Sequence, residues 1–112
     1  MSARLMLLAL LYAGALAAHP HLLQSTPVAG STLTQTPAQL VLQFAEPVRL
    51  TALSLQRVGA AAQRLAGLPA QAQARIEVVL PPLPAGDYLV TYRALGADGH
   101  LVPGQLRFRL VR

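Results

Sequence analysis

The sequence predicts an all-β sandwich of about seven short antiparallel strands. Apolar residues recur at every second position in short runs, and Pro and Gly fall between the runs. The one segment of helical composition, Ala60 to Ala66, is bracketed by Gly59 and Gly67 and has room for two turns at most.

The runs follow one another in order. A weak opening strand is expected around Leu22 to Ser25. Next, Leu40, Leu42 and Phe44 alternate with Gln39, Val41 and Gln43, and Leu53 and Leu55 alternate with Ser54 and Gln56. Ile76, Val78 and Leu80 then alternate with Arg75, Glu77 and Val79. Towards the end, Tyr88, Val90 and Tyr92 alternate with Leu89, Thr91 and Arg93, and Leu106, Phe108 and Leu110 alternate with Arg107, Arg109 and Val111. Each run has one apolar face, as a half-buried strand requires. The expected breaks are Pro27, Gly30, Pro37, Pro47, the stretch from Gly59 to Gln73, the cluster Pro81 to Gly86, and Gly96, Gly99, Pro103 and Gly104.

Composition narrows the function. With 54% hydrophobic and 12% charged residues among 112, the chain is too apolar and too weakly charged to stay disordered. The absence of cysteine excludes disulfides, zinc ribbons, thiol nucleophiles and thiolate-held clusters. The net charge of +5 comes entirely from arginines, scattered from Arg4 to Arg112 with no run of three, so nucleic acid is not an expected partner.

Residues 1–18 read as a secretory signal peptide: Arg4, an apolar run from Leu5 to Leu11, then small residues up to Ala18. The run is too short for a membrane span, which takes about 20 apolar residues. Cleavage after Ala17 satisfies the small-residue rule, and cleavage after Ala18 makes His19 the new N-terminus; both stay open. In the second case residues 19–112 form the mature domain, 94 residues with eight arginines and four acids. A chain of that size buries only about 60 to 70% of its unfolded surface, so the core alternation must be nearly uninterrupted. Both methionines, Met1 and Met6, leave with the leader, and with them every soft ligand for Cu(I).

The residues able to carry chemistry are then few. Histidines stand at His19 and His21, in the opening HPH, and at His100, in ADGHLVPG between the last two strands. Asp98 and His100 are two positions apart, which places a carboxylate and an imidazole on one side of an extended or turning segment. A terminal His19 would offer its α-amine together with its imidazole. Pro20 has no N–H to add, so further ligands must come from elsewhere. With Asp98 and His100 the set becomes three nitrogens and an oxygen, which suits Cu(II). Taken singly, Asp-Gly is also an ordinary turn signal, and Glu46, in FAEP, an ordinary carboxylate at the end of a strand.

Together these features are familiar. HPHLLQSTPVAGS, LVLQFAEPV and PAGDYLVTYRALGADGHLVPGQLRFRL resemble the CopC-type periplasmic copper resistance proteins over essentially the whole mature chain. The resemblance implies an Ig-like Greek-key sandwich in the periplasm that holds one Cu(II) per chain through His19, Asp98 and His100. It makes Glu46 an auxiliary candidate; His21 is outside the family's core ligand set and stands as a candidate fourth or transient nitrogen. The second, Met-rich Cu(I) site of some members has no counterpart after Ala18. Some relatives are fused to a CopD-type membrane transporter; here such a partner is expected to be a separate protein, and the mature chain is not expected to span the membrane.

The leading expectation is therefore a non-enzymatic copper protein that sequesters the ion or passes it to a membrane transporter. A copper oxidase built on an N-terminal histidine brace is the alternative from the enzyme class, and a secreted interaction sandwich is the third. An oxidase of that kind needs an extended substrate face, usually with exposed aromatics. Phe44, Tyr88, Tyr92 and Phe108 are all at expected inward positions.

Overall fold

A computed structural model describes residues 21–112. The elements are β1 (Leu22–Thr26), β2 (Thr32–Leu33), β3 (Gln39–Arg57), β4 (Gln63–Arg64), β5 (Gln73–Val79), β6 (Gly86–Gly96) and β7 (Leu101–Leu110). The long β3 belongs to both layers of a sandwich. Its first part pairs antiparallel with β1 on one side and β5 on the other, through Leu42 opposite Ser25 and Ile76. Its second part pairs with β6 and with β4, β6 continues to β7, and β7 to β2. The strand changes layers at Ala45-Glu46-Pro47, where the β3–β5 register is interrupted between Gln43 and Val48. Such an irregularity re-aims a strand, and it accommodates a proline that a central ladder would not.

The expected inward faces are buried without exception: Leu40, Leu42 and Phe44; Leu53 and Leu55; Ile76, Val78 and Leu80; Tyr88, Val90 and Tyr92; Leu106, Phe108 and Leu110. Val48 and Leu50 join them, in opposite phase to Leu53 and Leu55. A bulge explains the change: Leu50 faces Ala94 and Ala52 faces Arg93, so Thr51 is an extra residue and every later side chain changes face. Among the described residues no charged side chain is buried, and the core is built from apolar and aromatic side chains. Phe44 meets Tyr92 edge to face at 5.6 Å between ring centres, and Tyr88 stacks on Phe108 at 5.2 Å. The Tyr88 hydroxyl donates to the Pro84 carbonyl, and burial pushes both phenols up from their ordinary value, so they are neutral at physiological pH.

Four expectations need correction. The segment Ala60 to Ala66 is not helical: Gln63 and Arg64 pair with Leu55 and Ser54, and Leu65 donates to the Leu53 carbonyl at 2.9 Å while burying its side chain. Edge pairing and one buried leucine outweigh the small helical propensity of two turns. Pro47 does not end a strand but lies within one. Pro103 and Gly104 likewise lie inside β7, opposite Arg93 and Tyr92. Proline is tolerated there because β2 covers the far side of β7 only at Arg109 and Leu110. Finally, the β2–β7 pairing is parallel, so the strands are not all antiparallel, and β3 at 19 residues is not short.

Gly104 supports the core directly. A Cβ placed on it would lie 2.2 Å from the Tyr92 ring, so only glycine lets that ring pass beneath β7.

Candidate metal centre

The turn between β6 and β7 is built from Gly96-Ala97-Asp98-Gly99-His100. Gly96 N–H donates to the His100 carbonyl at 2.9 Å, and Gly99 N–H donates to the Gly96 carbonyl at 3.0 Å. Gly99 has φ of 85°, the left-handed conformation that a three-residue hairpin loop calls for after its tight turn. The strands on either side are regularly paired, with Leu95 opposite Leu101 in an unbroken ladder down to Gly86 and Leu110.

Within this turn Asp98 receives two hydrogen bonds from His100. The backbone N–H of His100 donates to Oδ1 at 3.0 Å, and its ring Nδ1 lies 2.9 Å from Oδ2. The first is the local side-chain-to-backbone bond that aspartate favours two residues before its partner. The second, read with Nδ1 as the donor, fixes the tautomer and leaves Nε2 with its lone pair. Both side chains remain accessible, 79% exposed for His100 and 44% for Asp98. The backbone N–H of His100, followed by its ring, holds the Asp98 carboxyl below the usual carboxylate range. The pair is thus anionic on one side and a nitrogen base on the other.

Of the other expected ligands, His21 and Glu46 lie towards the same end of the sandwich through backbone pairing. The His21 carbonyl accepts from Ala45 N–H at 2.9 Å, next to the layer change in β3. Glu46 follows on that bend and is exposed. Two residues later Val48 pairs with Gly96, the residue that opens the Asp98–His100 turn. His19 lies outside the described residues. Among the described residues no three His, Asp or Glu side chains are grouped closely enough to hold a metal ion. The structure therefore brings Asp98 and His100 into contact and sets His21 and Glu46 in neighbouring segments without joining them to the pair. That the Asp98 carboxylate grips the His100 ring at Nδ1 is a detail the i, i+2 spacing suggests only as a shared side.

The CopC domain model matches residues 22–111, the whole of the described sandwich apart from its end residues. The chain belongs to the CopC family. It is 31% identical over 103 residues to copper resistance protein C of Pseudomonas syringae pv. tomato, covering 83% of this chain and 81% of that protein. Its fold is similar to crystal structures of two relatives. One is CopC from Methylosinus trichosporium OB3b, with a TM-score of 0.71, 24% identity, and coverage of 82% of this chain and 93% of that one. The other is PcoC of Escherichia coli, described as a methionine-rich copper resistance protein, with a TM-score of 0.63, 30% identity, and coverage of 84% of this chain and all of that one. The fold similarity covers the two layers of the sandwich. This family is one of copper resistance proteins, and in this chain methionine occurs only at Met1 and Met6.

Proposed function

We propose that this protein is a periplasmic Cu(II)-binding protein that sequesters the ion or delivers it to a separate CopD-like membrane transporter, without bond-making chemistry of its own. The observation that carries the proposal is the Asp98–His100 pair, mounted between paired strands and accessible at the end of the sandwich where residue 21 enters. Copper is the cargo. His100 supplies an imidazole nitrogen and Asp98 a carboxylate oxygen, a hard and borderline donor set that fits Cu(II) better than Cu(I). A carboxylate held against a ligating imidazole also orients the ring.

Two donors make a weak site, and the grouping of described side chains supplies no third. The remaining donors in this reading are the α-amine and imidazole of His19, exposed by cleavage of a leader after Ala18. His21, fixed by its carbonyl to Ala45, limits how far His19 can be: two residues of chain reach no more than about 7 Å. Glu46 and His21 are auxiliary groups that come within reach from the β3 bend. The absence of methionine after Met6 favours a single site of one softness, so transfer between a thioether site and a nitrogen site is not part of this reading.

Phe44, Tyr88, Tyr92 and Phe108, the only aromatics of the described residues, are all buried, which leaves no aromatic platform for an extended substrate.

The test is a Cu(II) competition titration of the chain beginning at His19. One equivalent should bind tightly at pH 7.5 and progressively more weakly towards pH 5, as protons compete for the amine and imidazoles. The same affinity at both pH values would show that the nitrogen donors are not the ligands.

A further inference from the structure

The arginines scattered along the sequence are not scattered in space. Of the eight in the described residues, Arg75 pairs with Glu77 at 3.0 Å on the outer face of the β1–β3–β5 layer, and Arg109 pairs with Asp87 at 2.6 Å. That first face is otherwise made of neutral polar and apolar side chains such as Gln24, Gln43 and Val41. The opposite layer is different. Arg64 on β4, Arg49 on β3, Arg93 on β6 and Arg107 on β7 are all exposed, and none makes an ion pair with another described residue. Strand register puts all four on the outer face: Arg93 and Arg107 alternate with buried Tyr92, Ala94, Leu106 and Phe108, Arg49 lies between buried Val48 and Leu50, and Arg64 faces outward-pointing Ser54. Each of four adjacent strands therefore contributes one unneutralised guanidinium to a surface about 14 Å across the strands and about 20 Å along them, since Arg49 and Arg107 lie opposite Leu95 and Leu89, six residues apart on β6.

Between Arg64 and Arg93 the surface dips into a shallow groove whose outward side chains are Ala52, Ser54 and Thr91. Small side chains and two hydroxyls at its base leave room for one phosphate between the two guanidiniums. Aliphatic groups share the same face. Leu95 pairs with both Arg49 and Leu101, and Leu101 is 51% exposed immediately after His100.

We propose that this arginine-bearing face docks on an anionic phospholipid surface. The open sheet suits an extended layer of headgroups, and charge complementarity is provided by four guanidiniums, since Asp87, which lies on the same face of β6, is neutralised by Arg109. The exposed Leu101, next to half-buried Leu95 and two strands from Arg49, favours a bilayer over an acidic protein, because aliphatic side chains gain by entering the headgroup boundary while arginines hold phosphate. In this pose the Asp98–His100 turn, which extends the β6–β7 end of the face beyond Leu95 and Leu101, stands at the margin of the lipid contact. The inference does not depend on copper.

The experiment is flotation of the chain from His19 onward, which contains every strand and the whole described core, with vesicles of phosphatidylcholine alone or mixed with phosphatidylglycerol. Binding should require phosphatidylglycerol and weaken with salt. Each arginine near an anionic surface corresponds to about fivefold in affinity, so Arg64→Gln with Arg93→Gln should weaken binding about 25-fold, and Arg49→Gln with Arg107→Gln should do likewise. Arg75→Gln, on the other layer, should leave it unchanged. Equal binding to both vesicle types, or equal loss with Arg75→Gln, would overturn the proposal. Saturable binding of inorganic phosphate or of poly-glutamate without vesicle binding would also overturn it, reassigning the face to a free anion or to an acidic protein.

Discussion

Phe44 ends the first half of β3 and His100 ends the β6–β7 turn, yet the two are built on opposite terms. Phe44 is 1% exposed, packs edge to face on Tyr92 and belongs to a core of apolar and aromatic side chains. His100 is held by its backbone and one carboxylate, with most of its ring in solvent. The difference teaches that the sandwich does not need its candidate metal ligands to fold. Apolar burial supplies the stability, and the turn is free to carry donors whose unpaired state costs little because water solvates them. The two regions should therefore respond to substitution in different observables.

The sharpest contrast comes from Phe44→Ala. Truncating a fully buried aromatic costs about 3 to 5 kcal/mol, a large part of the stability of a domain this small, and chemical denaturation should show it directly. A loss below about 1 kcal/mol would mean that the two layers do not pack through Phe44. The reciprocal change is His100→Ala. It should leave the denaturation midpoint within the small range of a surface substitution and weaken Cu(II) by about a hundredfold or more, since even groups that only support a ligand are worth 10 to 100-fold. In the metal-free protein the same substitution should raise the Asp98 pKa only part of the way towards the ordinary carboxylate value, measured by NMR titration, because alanine keeps the backbone N–H that is the larger cause of the lowering and removes only the ring's hydrogen bond. The sign is definite: the stabilisation of the Asp98 carboxylate is complete above the ordinary carboxylate pKa and disappears as pH falls through the lowered one, so Asp98 should stay ionised below the pH at which an ordinary carboxylate protonates. Coupled loss of stability and copper binding in His100→Ala would break the separation.

Gly104→Ala tests a smaller effect where the regions adjoin. The added Cβ must displace the Tyr92 ring, which packs on Phe44, so a destabilisation of about 1 to 3 kcal/mol is expected with copper affinity unchanged. Unchanged stability would show that β7 yields there at no cost.

What could be read from the sequence follows the same division. Period-two alternation identifies Leu40, Leu42, Phe44, Tyr88, Val90, Tyr92, Leu106, Phe108 and Leu110 as core because a one-residue slip would reverse every one of them. It misses Val48 and Leu50, since the bulge at Thr51 breaks the phase, and it misreads Ala60 to Ala66, where local propensity is overruled by pairing with the edge of β3. Pro47 and Pro103 mislead for a related reason: a layer change and an exposed strand edge each remove the hydrogen bond that proline cannot make. At the site, Asp98-Gly99-His100 is legible because chain neighbours fix its geometry. The approach of residue 21 to the β3 bend is not, since it depends on pairing between segments more than 20 residues apart. The arginine face is hidden for the same reason, as its four members come from four strands.

The central claim is that the N-terminal histidine completes a copper site begun by Asp98 and His100. Electron paramagnetic resonance of Cu(II) bound to two chains, one starting at His19 and one at Ala18, tests it most directly. The account predicts one tight equivalent with nitrogen hyperfine structure only in the chain starting at His19. Equal binding with the same spectrum in both chains would contradict it and place the site on side chains alone.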